Sequence, residues 1–509
     1  MKRYLIPIIL LALLLFAPQA HAQQILSGIM AGGGAGGGTP TLVQYVDMGM
    51  FGYVSGATPA NANVLTATVP LPNNTLSNNC VLVLVYYSWP SGSPTVSGVT
   101  DSQSNSYSHV ATWPDATNGV NVEAWVAAGV TAGANNVKVT FSANACFVEI
   151  KVAELYNVAT SSPVDVYSST SSGRLFSSAT TISSPAITTG YANDFVFQFA
   201  AQDSVYSQWN NSFIFTKGTN FNLVPGSTQS IDGSCLQYYV KPTAGAITPS
   251  MTVGSAMTGI TLSIALKYAS AGTAPAAGVH VNSVQHTYWN QSVTTNTALA
   301  IQRVSTGNLQ ILLSSLAPGD GSGTVSGGSS GTWNKRIIEN VNPPVNCAVG
   351  IYDAVNQSAL SETLSISFKT LTDTIDMMVL LLDVSGANTA PYDKSGGANG
   401  NQTNSASTTL PDGSGNLMQI TPSTSNGLVV AVMGLDYDYI NGGSGATTSL
   451  VTWQTPAAAE NGNGDDPCDN SDGWGLFYNA NTNPITFTWS VPSGTAVQTW
   501  AAAAAAYKH

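Results

Sequence analysis

The sequence predicts an all-β protein made of two tandem antiparallel β-sandwich domains, jelly-roll-like in topology and derived from an internal duplication. Three observations predict it. Apolar runs of five to nine residues recur along the chain, separated by turn clusters such as Pro90-Ser91-Gly92-Ser93-Pro94 and Asn441-Gly442-Gly443-Ser444-Gly445. The period is two, as where Ile485, Phe487 and Trp489 alternate with Thr486, Thr488 and Ser490. Finally, the stretch that begins near Val43 is echoed, turn signal for turn signal, from about Val279 to His509.

The echo runs in order. Val81 to Val85 answers Leu309 to Leu313, and Val137 to Phe141 answers Leu364 to Phe368. Phe147 to Leu155, followed by Ser162-Pro163-Val164-Asp165, matches Met377 to Val384, followed by Ala390-Pro391-Tyr392-Asp393. Phe195 to Asp203 matches Leu428 to Asp436, and Asp232-Gly233 matches Asp472-Gly473. Ala501 to Ala506 aligns with the strand at Ile260 to Lys267 and is expected to be a closing strand, against the preference of alanine for helix.

The parts fall at definite places. Residues 1–22 carry Lys2 and Arg3, an apolar run from Leu5 to Phe16 and a small-residue Ala20-His21-Ala22 site, the marks of a secretory signal peptide. Residues 23–42 are a Gly-rich linker; Gly32 to Gly38 fits GxGxxG formally but has neither a strand before it nor a helix after it. Residues 43–268 form the first repeat, 269–278 an Ala/Gly/Thr/Pro linker and 279–509 the second repeat. Beyond the leader no segment carries about 20 uninterrupted apolar residues, so no membrane span is expected in the mature chain.

Charge is sparse and acidic, with 14 Lys+Arg against 26 Asp+Glu and a formal net charge of −12. Such a surface repels phosphate backbones, which argues against a nucleic-acid partner. Polarity comes from Ser, Thr, Asn and Gly, as in extracellular β-proteins. The five cysteines, Cys80, Cys146, Cys235, Cys347 and Cys468, contain no CxxC pair. Export permits disulfides, an odd count leaves at least one thiol over, and buried structural cysteines are the alternative.

The segments Val99 to Tyr107, Ala132 to Phe141 and Glu154 to Asp165 resemble a β-sandwich module of secreted bacterial and phage-tail-associated surface proteins. The resemblance covers most of the first repeat and implies surface display or binding more than catalysis. The second repeat lacks the Thr-Asp-Ser and Asn-x-Tyr residues of the corresponding turn.

Candidate chemistry is thin. Gly327-Gly328-Ser329-Ser330-Gly331 fits GxSxG, but in a Gly/Ser loop rather than at a strand-to-helix elbow. His280 and His286, six apart, share a face without an acidic partner, a weak metal motif beside the alternative of solvent-facing polar positions. The carboxylates offer more. Asp203 and Asp436 follow equivalent strands, each with a tyrosine three residues on, Tyr206 or Tyr439, and Asp438 is added in the second copy. Paired carboxylates of this kind suit a carbohydrate-active enzyme. Asp465, Asp466, Asp469 and Asp472 crowd one loop with oxygen ligands of the kind calcium needs, the alternative being an ordinary Asp-Gly turn. On the strand Val120 to Val126, Asn121, Glu123 and Trp125 fall opposite valine and alanine; an aromatic among polar groups suits stacking on a sugar ring, and core packing is the alternative. The expectation is a secreted binding or adhesive protein that takes carbohydrate or another cell-surface component; the other readings are a secreted enzyme acting on carbohydrate and a purely structural extracellular part.

Overall fold

Two strands of like direction meet at the middle of the molecule. In the computed structural model, Thr41–Phe51 and His280–Ser292 pair in parallel, with Tyr45 opposite Ser283 and Met48 opposite His286. Outward from this junction the first half adds Asn136–Tyr156, Cys80–Ser88, Val120–Ala128 and Ser108–Asp115. The second half adds Thr374–Ser385, Leu309–Ala317, Ala348–Val355 and Asn334–Asn340. Every one of these outward pairs is antiparallel. The two inner strands even share an irregularity, a register shift between Leu42 and Gln44 in one and between Val281 and Ser283 in the other.

The structure describes residues 39–509 except 52–63, 89–92, 203–213, 225–232, 276–277, 293–297, 306–308, 318–323, 328–331, 341–347, 356–359, 368–373, 402–417, 438–451, 456–459, 466–469 and 491–496. The segment Thr39–His509 forms one compact unit. Among the described residues all regular structure is strand, as the sequence predicts.

A second sheet covers each half. In the first, Asp194–Gln202 lies between Ser234–Lys241 and Ser250–Leu266. In the second, Gly427–Tyr437 lies between Asn470–Asn479 and Val497–Tyr507, with Glu460–Asp465 and Tyr392–Asn401 outside them. Small sheets match as well. Val64–Pro70 and Val96–Asp101 flank the first part of Asn136–Tyr156, while Ala298–Ser305 and Thr324–Gly327 flank Leu360–Ser367.

The covers lie on opposite faces of the central sheet. Leu82 and Leu84 pack with Phe195, Phe197, Phe199, Leu262 and Ile264 under the first cover. Their neighbours Val81, Val83 and Val85 share a core with Leu309, Ile311 and Leu313 and with Leu428, Val430 and Val432 of the second cover. Alternate residues of a strand point to opposite faces, so both faces of the central sheet are buried. A parallel central pair with the same order on each side is what a two-fold rotation about an axis along the strands produces, and that rotation exchanges the faces.

The polyalanine strand follows from its place. Val497–Tyr507 runs between two strands, with Ala501, Ala503 and Ala505 packed toward the central sheet and Ala502, Ala504 and Ala506 in a separate outer core. Tertiary burial on both faces overrides the helix propensity of alanine.

Register refines the matched segments. Cys80 pairs with Leu155 and Leu309 with Val384, so Cys80, rather than Val81, corresponds to Leu309. Ala201 pairs with Ser234 and Gly434 with Asp472, so Ser234 stands at the rung of Asp472 and the two Asp-Gly dipeptides are offset by two. The segment 269–278 is bonded onto the first half: Ala271 accepts from the Asn157 N–H at 2.7 Å, and Thr273 N–H donates to Asn79 Oδ1 at 2.7 Å.

Candidate functional site

Three charged side chains meet beneath the first cover sheet. Asp47 pairs directly with Lys151 across the ladder, and Glu149 lies two residues along the same strand, so the period of two brings all three to one face. Lys151 Nζ lies 2.5 Å from Asp47 Oδ2 and 2.5 Å from Glu149 Oε1. From the cover sheet, Ser234 Oγ donates to Glu149 Oε1 at 2.6 Å, and the Phe199 ring centroid lies 5.7 Å from Nζ. Exposure of these side chains is 2% for Lys151, 0% for Asp47 and 3% for Glu149, so water does not screen them. Asp47 Oδ1 has no hydrogen-bond partner, nor does the buried Tyr45 hydroxyl two residues earlier.

Burial of ionic groups is costly unless they are paired. One ammonium faces two carboxyls, so full ionisation would leave an uncompensated negative charge. Burial raises Asp47 most strongly, Lys151 draws it down and Glu149 raises it again, the result being about 8. Burial lowers Lys151, but Asp47 and Glu149 outweigh it and hold the ammonium above its ordinary range. A single proton on the carboxyls would make the cluster neutral, and burial favours holding it on Asp47.

The residues singled out on Val120–Ala128 lie on the opposite face, beneath Val96–Asp101. Asn121 and Glu123 are buried. Glu123 Oε1 accepts from the Tyr87 hydroxyl at 2.6 Å and from the Val96 N–H at 3.0 Å, and Asn121 Nδ2 donates to the Tyr87 oxygen at 2.9 Å. Trp125 is half-buried against the core, its Nε1 3.4 Å from Glu123 Oε2 and its ring 5.1 Å from that of His109. These contacts tie the small sheet to the central one.

The Thr-Asp-Ser and Asn-x-Tyr residues close a turn. Asp101 accepts from the backbone of Gln103 and Asn105, from Asn105 Nδ2 and from the Tyr107 hydroxyl, at 2.8 to 3.1 Å. Asn105 Oδ1 then accepts the Thr131 N–H at 2.7 Å, fastening this turn to the next. The two Pro-x-Asp turns also do like work: Asp165 accepts from Gly190 N–H at 2.6 Å and Asp393 from Ser423 N–H at 2.5 Å, each four residues before the middle strand of its cover sheet.

Asp203, Tyr206, Asp438, Tyr439, Asp466, Asp469 and Ser329 lie outside the described residues. Asp436 pairs with Asn470, Gly434 with Asp472 and Asp465 with Ser471, so register brings Asp436, Asp465 and Asp472 to one end of the second cover. Among the described residues no group of three or more His, Cys, Asp or Glu is arranged to hold a metal ion. His280 Nε2 is 2.9 Å from the Val43 carbonyl, and His286 is buried, its pKa lowered to about 4 by burial. Cys80 and Cys235 are buried, with burial pushing the Cys80 thiol up to about 12. Also among the described residues, no helix is long and apolar enough to cross a membrane.

No family model, curated protein or solved structure matches this chain.

Proposed function

We propose that this is an exported binding protein of adhesive type, which recognises carbohydrate or another cell-surface component through the connections at like ends of its two cover sheets. The parallel pairing of Tyr45 to Met48 with Ser283 to His286 carries this reading. Rotation about an axis along the strands leaves strand direction unchanged, so the equivalent strand ends Gln202 and Tyr437 lie at the same end of the molecule. Asp194–Gln202 leads into the connection bearing Asp203 and Tyr206, and Gly427–Tyr437 leads from Asp436 into that bearing Asp438 and Tyr439. Two weak sites facing one surface gain avidity without any new contact. The leader-like residues 1–22 support export, and the sparse acidic charge favours a neutral partner over an anionic one.

A glycan array probed with the purified mature protein, with and without calcium and with product analysis, tests the proposal. Binding without cleavage, weakened when Tyr206 or Tyr439 is replaced by alanine and lost when both are, is the expected result. Release of shortened glycans would move the reading to a carbohydrate-active enzyme acting through Asp203 and Asp436. Absence of binding to every glycan and to intact cells would overturn it in favour of a structural part. Loss of binding on calcium removal would implicate Asp465, Asp466, Asp469 and Asp472.

A further inference from the structure

The Asp47, Lys151 and Glu149 cluster has the composition and geometry of a self-condensing site. We propose that Lys151 Nζ and Asp47 Cγ become joined by an intramolecular amide bond, with Glu149 transferring the protons. This inference is independent of the binding proposal.

Three observations carry it. The nucleophile and the acyl group are already in contact: Nζ lies 2.5 Å from Asp47 Oδ2, and the two residues are direct ladder partners held by pairing along both strands. Such prepaid orientation removes most of the entropic barrier to a reaction between two groups. A third group sits at the reacting nitrogen, since Glu149 Oε1 is 2.5 Å from the same Nζ and is itself fixed by Ser234 Oγ. A candidate acid or base must lie within hydrogen-bond reach of the proton it moves, and Glu149 does. Finally, the site is closed to bulk solvent, with Phe199 beside the ammonium and all three side chains buried under the cover sheet. Exclusion of water disfavours the charged forms and opposes hydrolysis of the product.

The step balances without any co-reactant. The reacting form is the neutral one, with a proton on Asp47 beside the Lys151 ammonium and the Glu149 carboxylate. Transfer of one ammonium proton to Glu149 leaves a neutral amine, whose lone pair attacks Asp47 Cγ. The resulting tetrahedral carbon collapses when the Asp47 hydroxyl departs as water. That water takes the proton held by Glu149, while the proton lost from nitrogen on amide formation returns to the Glu149 carboxylate. The C–N bond forms, one C–O bond breaks, nothing is oxidised or reduced, and the net change is the loss of one water. The remaining protonated Glu149 no longer faces a charge. The buried ion pair of the starting cluster is thereby replaced by neutral groups, and the first strand is stapled to a residue 104 positions further along the chain.

Mass spectrometry of the full mature chain tests this, with its N-terminus read in the same experiment. The expected mass is one water below the sequence value. After denaturation and chymotryptic digestion, one branched species should join the fragment containing Asp47 to that containing Lys151. Glu149→Gln keeps both reacting side chains and should restore the lost water; Asp47→Asn should give the same branched amide with loss of ammonia instead. Intact wild-type protein at the sequence mass, with separate Asp47 and Lys151 fragments in full yield, would overturn the proposal. So would a water loss that maps to an Asp-Gly succinimide. A Glu149→Gln chain that unfolds cooperatively and is still branched would remove Glu149 from the step.

Discussion

At one rung on either side of the junction, the first half holds Asp47 against Lys151 while the second holds His286 against Leu380. The backbone pairing is the same, down to the register shift before it, yet at this rung one half buries an ionic cluster and the other an imidazole beside a leucine, the second half's buried Asp353 being paired elsewhere, with Arg336. The comparison extends to the covers. Where Ser250–Leu266 presents Ile260, Leu262 and Ile264 to the central sheet, Val497–Tyr507 presents Ala501, Ala503 and Ala505. The same ladder thus accepts different distributions of volume and charge, provided each inter-sheet space is filled. Because equal strand order can be kept by pairing alone, what differs between the halves marks what each half does beyond folding.

The largest expected effect breaks the ionic side of that comparison. Lys151→Ala leaves Asp47 and Glu149 buried with neither a cation nor an amide partner and should lower stability by about 3–5 kcal/mol in denaturant titration. Leu380→Ala, at the matching rung of the second half, should cost about 2–5 kcal/mol as a cavity. Equal and small losses would show that the cluster is not an ordered part of the core. The volume side is tested reciprocally. Leu262→Ala should cost about 2–5 kcal/mol by opening a cavity, whereas Ala503→Leu should cost about 1–3 kcal/mol by overfilling the space under the second cover.

The smallest effect is in pH dependence, where the halves should respond with opposite sign. Burial and the neighbouring Asp165 raise Asp194 from its ordinary 3.8 to about 7, so the folded state holds the extra proton and stability falls as pH rises from about 4 to 7. Burial lowers His286 from 6.5 to about 4, so the unfolded state holds the extra proton and stability falls as pH drops from 6.5 toward 4. Between about pH 4 and 6.5 the two slopes, each approaching roughly 1.4 kcal/mol per pH unit, oppose one another. Asp194→Asn should therefore make stability rise more steeply with pH in that window and His286→Gln should make it fall; a profile unchanged by either substitution would contradict the burial of those groups.

Much of this fold is legible in the sequence because strands and turns are local. The period of two, the Gly/Pro/Asn clusters and the two Pro-x-Asp turns all act within a few residues, and the alignment of Ala501 to Ala506 with Ile260 to Lys267 names a strand that propensity alone would miss. The offset between the Asp-Gly dipeptides is not legible, since register depends on pairing rather than on the dipeptide. The ionic cluster escapes for a similar reason. Glu149 and Lys151 alternate with Val148, Ile150 and Val152, which reads as one apolar and one solvent-facing side of a strand. Only the cover sheet, set by residues beyond position 190, turns that side into an interior. Asn121 and Glu123 escape likewise, because the strand at Val96–Asp101 covers them and supplies the donor at Val96.

Backbone hydrogen exchange at Gln44 to Met48 and Ser283 to His286 tests the continuous central sheet most directly. If the two halves share it, these amides have partners on both sides and should be among the slowest in the protein, exchanging with the residues of Cys80–Ser88 and Leu309–Ala317. Rapid exchange at alternate amides of either segment, the pattern of an exposed sheet edge, would contradict the parallel junction and leave two separate sandwiches.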